Sequence, residues 1–307
     1  MTPTAFIVYL HYTEAHLQSG LKVLAREARR FLPGARIVTA AVANHAQDAP
    51  PMALGEDVFR IGGDNRAREF SGYDAGLRWI RETRGPEAHS PVIVANDTFH
   101  RTNTLADVCA LDADRVAGWL AKGALGGRVD TLPREVHLFG LPLKQYVRTN
   151  FVCGRWDVLE SLLPTALEFD DEALFSPEEG RFFREDAPMD PRYREYLVSW
   201  LLGTPSELFA VWRFSEQHTA TNRSHLQGKV KAILCEHHLS ARARRQGVPL
   251  EPFSPRRFRA RALVARVKPP LYAATRLVPG SYGLLTWGVT WLKATQAPLK
   301  ERGTGGR

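Results

Sequence analysis

One stretch, from Asp64 to Thr98, constrains the fold of this chain more than any other: DNRAREFSGYDAGLRWIRETRGPEAHSPVIVANDT. A loop carrying Asn65, Arg66 and Arg68 opens an amphipathic segment from Ser71 to Thr83. A short apolar run, Pro91-Val92-Ile93-Val94-Ala95, follows and stops on Asn96-Asp97-Thr98. Helical periodicity followed by a strand-length apolar run predicts a helix feeding a central strand covered on both faces. In open α/β sheets ligands collect beyond the carboxyl ends of strands, which makes Asn96 and Asp97 candidate site residues. A carboxylate among small polar side chains suits a hydrated divalent cation carrying a diphosphate. It also suits a plain turn, because Asn, Asp and Thr end strands and begin helices.

The rest of the first hundred residues repeats this alternation. Phe6–Leu10 is an apolar strand-length run, and Glu14–Leu32 places Leu17, Leu21, Leu24, Ala28 and Phe31 at helical spacing until Pro33-Gly34 ends it. The segments 35–42 and 57–61 read as further strands, separated by a loop over 44–55. The order β-α-β-β-α-β predicts a mainly parallel sheet with helices on both faces. Beyond residue 100 the pattern is less regular. Helices are expected over 106–125, 156–163, 193–202 and 229–246, and strands over 135–139 and 146–153. The acidic, Phe- and Pro-rich segment 168–191 reads as a mobile loop.

Several side chains carry two readings. Ser71, Gly72 and Gly76 are small residues that let a helix approach a ligand or another backbone closely, and packing on a sheet alone accounts for Gly76. Arg66 and Arg68 suit a diphosphate and equally a solvated face. Asp74, in the first helical turn, favours the helix dipole without any ligand. A third element, Leu234-Cys235-Glu236-His237-His238-Leu239-Ser240-Ala241-Arg242 with Gly247 after it, brings a carboxylate out of an apolar run. Glu236 is a candidate general base toward a hydroxyl, against the plain reading of a solvated helix carboxylate paired with Arg. His237 and His238 point apart on a helix and lack a third ligand, which argues against zinc.

The net charge of +8 is concentrated at the end of the chain. Residues 255–307 hold eleven basic side chains and one acid, Glu301, a net +10, so the preceding part is weakly acidic at −2. Within that tail Ser281–Leu292 (SYGLLTWGVTWL) sets Leu, Trp and Val beside Arg and Lys, a composition suited to an anionic membrane surface, or else to a helix packed on the core. A nucleic-acid partner is not expected, because no recognisable motif accompanies the charge. The cysteines at 109, 153 and 235 are scattered, the start lacks a basic n-region, and no run approaches about 18 apolar residues. These features predict a cytoplasmic protein, peripheral on the inner face of the cell membrane.

Taken together, Asn65 with Phe70-Ser71-Gly72-Tyr73-Asp74-Ala75-Gly76, Val92-Ile93-Val94-Ala95-Asn96-Asp97-Thr98, and Glu236 to Arg242 with Gly247 resemble a bacterial GT-A type glycosyltransferase. The chain is similar to the family-2 inverting group and to transferases of rhamnan, O-antigen and capsule synthesis. The resemblance spans about residues 5–250 and departs at Asn96, where many members carry a first Asp, and at Glu236-His237, where Glu-Asp is common. The resemblance implies a GT-A (Rossmann-like nucleotide-diphospho-sugar transferase) domain over 1–254. Its nucleotide-sugar half would be 1–100 and its acceptor half 101–254, with 255–307 as a basic amphipathic tail. It implies a donor site built from Asn65, Arg68, Ser71, Gly72, Asp74, Asn96 and Asp97, and a divalent cation, Mn²⁺ or Mg²⁺, on Asp97. Glu236 would be the catalytic base, with acids of the segment 170–179 (Asp170, Asp171, Glu178, Glu179) as substitutes. The activity implied is transfer of a hexosyl or deoxyhexosyl group from a nucleotide-sugar to a glycan or lipid-linked acceptor. The competing classes are a non-catalytic nucleotide- or sugar-binding protein of the same fold, and a basic scaffold bound to membrane or nucleic acid through its tail.

Overall fold

The computed structural model describes residues 3–47, 49–178, 180–202 and 222–260, with 262, 263 and 265. The apolar segment Ser281–Leu292, the tail beyond residue 265 and Glu179 lie outside the described residues.

The elements run β1 (Thr4–His11), α1 (Glu14–Phe31), β2 (Arg36–Ala43), β3 (Met52–Gly55), β4 (Val58–Gly62), α2 (Glu69–Arg84), β5 (Pro91–Asn96), α3 (Thr104–Cys109), α4 (Ala113–Ala121), β6 (Leu125–Leu138), β7 (Leu141–Arg155), α5 (Trp156–Ser161), α6 (Asp171–Leu174), α7 (Pro191–Leu202), α8 (Arg223–Arg245) and β8 (Leu250–Pro252). They build one eight-stranded sheet in the order β3-β4-β2-β1-β5-β7-β6-β8. Strands β4, β2, β1 and β5 are parallel neighbours. The chain starts in the middle at β1, adds β2 and β4 on one side, then crosses to add β5 on the other. That reversal opens a crevice at the carboxyl ends of β1 and β5.

Side-chain alternation along β1 divides the core. Phe6, Val8 and Leu10 face Tyr73, Leu77 and Ile80 of α2 and Leu239 of α8. Ala5, Ile7 and Tyr9 face Leu17, Leu24 and Phe31 of α1 and Val116 of α4. Both faces of the central strands are therefore covered, which is why their sequences are continuously apolar. Helix α2 lies close on the sheet because of two glycines. A Cβ on Gly72 would stand 2.2 Å from Leu10 Cδ1, and one on Gly76 would stand 2.4 Å from Val8 Cγ1.

The second half departs from the sequence expectations in several places. The helix expected over 106–125 is two helices, because the Asp112 side chain accepts from the Arg115 amide at 2.8 Å and caps a fresh start. Strand β6 then begins at Leu125, with Gly126 against the Trp119 ring and Gly127 against the Phe151 carbonyl. The strands expected over 135–139 and 146–153 are parts of a long β6–β7 hairpin that joins the first sheet half through antiparallel β5–β7 pairing. The short strand β3 lies within the expected 44–55 loop, and α8 begins at Arg223 rather than at 229. The segment 168–191 is no solvent-washed loop. It carries α6, a bridge between Phe175 and Phe183, and buried Phe175, Phe182, Phe183 and Met189. A run of aromatics reads as non-periodic in sequence yet supplies a satellite core around β6, β7, α7 and α8.

Gly76→Ala tests the α2–sheet contact. The added methyl meets a β-branched Val8 on a central strand, so destabilisation of about 1–3 kcal/mol is expected in chemical denaturation.

Candidate functional site

A cleft of about 470 Å³ opens beyond the carboxyl ends of β1 and β2. Tyr12, His45, Asn65, Arg66 and Arg68 line one side, and Asp171 with Gly228 and Lys231 of α8 line the other. The β4–α2 connection supplies the arginines, and its shape depends on Asn44 at the end of β2. The Asn44 amide donates to Asn65 Oδ1 at 2.8 Å and to the Arg68 carbonyl at 3.0 Å. Asn65 and Arg68 both have positive φ, 53° and 52°. Asn tolerates this region, but Arg adopts it only under constraint from its surroundings. Gly228 makes room opposite, since a Cβ there would stand 3.1 Å from Arg68 Nη2.

The cleft cations have long or exposed partners, and Arg68 Nη2 donates to the His225 carbonyl of α8 at 3.4 Å. Lys231 Nζ meets the Asp171 carboxylate at 3.0 Å. Arg66 reaches Asp64 at 3.4 Å and Glu168 at 3.9 Å with its own side chain 65% exposed. Exposed pairs of this kind contribute little net stability, so another anion can replace them.

Below the cleft, the end of β5 is fastened to its neighbours. The Asp97 amide donates to the Leu10 carbonyl at 2.9 Å, and Asp97 Oδ2 accepts from the Tyr12 amide at 3.2 Å. Asn96 starts a chain of hydrogen bonds. Its Nδ2 donates to the Tyr73 hydroxyl at 3.0 Å, and that hydroxyl donates to the Thr149 carbonyl at 2.9 Å. The Thr149 amide and hydroxyl both donate to Glu236 Oε2, at 2.8 and 3.0 Å. The order is therefore β5, α2, β7, α8, and it ends on the candidate base. Burial pushes the Glu236 carboxyl up to about 7, against the opposing pull of the Thr149 amide, the Arg148 guanidinium and the Thr149 hydroxyl; the Glu69 carboxylate acts in the same direction as burial. Burial also raises Glu69, which accepts from the Tyr12 hydroxyl at 3.4 Å.

The residues singled out from sequence separate into two groups. Asn65 and Arg68 line the cleft; Asp97 is not in its lining and is joined to it through the Tyr12 amide. Four others hold structure. Asn96 is 5% exposed and its Oδ1 accepts from the Thr98 amide and hydroxyl, so no atom of its amide is left for a donor. Asp74 Oδ1 accepts from the Thr165 amide and hydroxyl, each at 2.7 Å, and its Oδ2 accepts from the Ala166 amide at 3.0 Å. Asp74 thus anchors the connection that runs on to Glu168 and Asp171. Ser71 Oγ accepts from the Ala67 amide and donates to the Arg68 carbonyl, closing the loop into α2. Gly72 serves the packing of α2 on β1.

His237 and His238 are neutral, as burial lowers them to about 3 and about 4. His237 Nδ1 lies 2.5 Å from the Tyr193 hydroxyl, which makes it a core group. The sequence gives no site role to Tyr12, Tyr73 or Lys231, and it offers Thr149 only as part of an acceptor-side stretch over 146–150. Gly228 was the available signal for Lys231, because a glycine inside a helix marks close approach of another group.

Among the described residues no three His, Cys, Asp or Glu side chains gather so as to hold a metal ion. At the end of β5 one carboxylate is present, with one of its oxygens already bound to a backbone amide. These residues do not make a resident metal site.

No protein-family model matches the chain, and no curated protein matches it. Among solved structures, a 4-diphosphocytidyl-2C-methyl-D-erythritol synthase is similar with a TM-score of 0.30 and 13% sequence identity, over 55% of this chain and 82% of that chain.

Tyr73→Phe removes the hydroxyl that joins Asn96 to Thr149 and leaves buried partners unsatisfied. A loss of about 1–3 kcal/mol in urea unfolding is expected.

Proposed function

We propose that this chain is a glycosyltransferase that moves a sugar from a nucleotide-sugar to an acceptor hydroxyl. The observation that carries the reading is Glu236. It is a half-buried carboxyl poised near neutrality and held by Thr149, on the helix whose earlier turns line a basic cleft at the carboxyl ends of parallel strands. A protein that only binds nucleotide-sugar needs the cleft but not a carboxyl tuned in this way.

In this reading the diphosphate lies in the cleft against Arg66, Arg68 and Lys231, and Tyr12 and His45 border the nucleoside. Glu236 as carboxylate takes the proton of an acceptor hydroxyl. The hydroxyl oxygen forms its bond to the anomeric carbon as the bond to the phosphate oxygen breaks. The electron pair leaves with the nucleoside diphosphate, and attack from the opposite face inverts the anomeric centre. Asp97 and Asn96 act by fixing the strand ends. The acceptor is proposed to be a glycan or lipid-linked glycan of a surface polysaccharide. The +10 tail is proposed to hold the enzyme at an anionic membrane. No helix among the described residues is long and apolar enough to cross a membrane.

Glu236→Gln should lower transfer by about 10²–10⁴-fold while leaving donor affinity little changed in calorimetry. Full activity in that variant would remove Glu236 as base. The base must be ionised to act, so in the wild type kcat/KM should rise with pH through about 7 and level off above it. That rise should be absent in the Gln variant. Removal of residues 266–307 should abolish sedimentation with vesicles rich in anionic lipid and leave nucleotide binding intact.

A further inference from the structure

We infer that the negative charge of the diphosphate is offset by Arg66, Arg68 and Lys231, so that this chain binds nucleoside diphosphates without a divalent cation. The inference rests on the nucleotide-sugar reading and goes beyond it in assigning these groups the role of the divalent cation.

The argument starts from what each side of the site offers an anion. A magnesium ion that arrives with a nucleotide is held by one or two carboxylates together with phosphate oxygens and water. The end of β5 offers only the minimum of that set, the one carboxylate of Asp97, which is 3% exposed. Its Oδ2 accepts from the Tyr12 amide, and the preceding side chain is an amide whose atoms are engaged with Tyr73 and Thr98. The cleft offers the opposite charge. Two guanidinium groups come from the β4–α2 loop and an ammonium group comes from α8, all in the lining of one cavity.

Three features make these cations a built arrangement rather than a solvated face. Arg68 is held at positive φ by the Asn44 clamp on its carbonyl, and its Nη2 donates to the His225 carbonyl at 3.4 Å, which places the guanidinium against α8. Gly228 clears space for its guanidinium, where any side chain would stand against Nη2. Lys231 faces the cleft from one helical turn further along, with Asp171 as an exchangeable counter-ion that is 52% exposed. A guanidinium binds two phosphate oxygens through parallel N–H donors, and an ammonium adds a point charge. Together they supply the charge that a cation would otherwise bring. They remain in place when the leaving diphosphate gains charge during transfer.

The test is calorimetric titration of the full chain with UDP, GDP, CDP, ADP and dTDP, each with Mg²⁺, with Mn²⁺ and with EDTA. The expected result is that at least one binds with affinities that agree within about twofold across the three conditions. That affinity should fall as salt is raised, as expected of pairing with exposed cations. Arg68→Gln and Lys231→Gln, each verified as folded by thermal unfolding, should weaken binding in EDTA by about tenfold or more. Binding that vanishes in EDTA and returns with Mg²⁺ or Mn²⁺ would overturn this inference and leave the nucleotide-sugar reading standing. Unchanged affinity in both Gln variants would overturn it as well. Failure of every nucleotide in every condition would overturn both.

Discussion

The hydrogen-bonded chain Asn96–Tyr73–Thr149–Glu236 is the constraint on which the site depends. It joins the central strand β5 to a covering helix, then to the antiparallel hairpin, then to the long helix α8. Each link is buried or half-buried, so each polar atom needs its partner. A half-buried carboxyl at the far end is therefore held in place by Thr149 while burial raises it to about 7. The low dielectric that raises Glu236 also strengthens the bonds that hold it.

The cleft above follows from a second, independent clamp. Asn44 fixes the loop between β4 and α2, and that loop passes through two residues of positive φ and brings its arginines to the cleft. Helix α8 connects the two devices. Its earlier turns carry Gly228 and Lys231 at the cleft, and Glu236 follows further along. Tyr12 bridges them at the strand ends, with its amide on Asp97 and its hydroxyl on Glu69. Asp74 supports the cleft from outside by pinning Thr165 and Ala166, which lead to the acidic side chains facing Arg66 and Lys231.

The parallel half of the sheet was legible because its strands are apolar on both faces and its helices keep strict periodicity. The hairpin half was harder to read. Gly126-Gly127 and Pro133 hide a strand of 14 residues, and the capping carboxylate of Asp112 splits one apparent helix into two. The buried aromatics of 168–191 lack a period, so their burial is visible only once β6 and β7 are in place. In the site, residues were found by type more readily than by task. Asn96, Ser71, Gly72 and Asp74 stand beside the chemistry in sequence, but their atoms are engaged in holding turns and helix contacts. Tyr73 gave no signal, since a tyrosine in an apolar helix face looks like core, and Thr149 was marked only as one residue of the stretch 146–150.

A crystal structure of the chain with an intact nucleotide-sugar, grown in chelator, tests the central claim most directly. The account predicts the diphosphate between Arg66, Arg68 and Lys231, and the anomeric carbon on the side of Glu236. A nucleotide-sugar bound elsewhere, or bound in the cleft with its sugar directed away from Glu236, would contradict it.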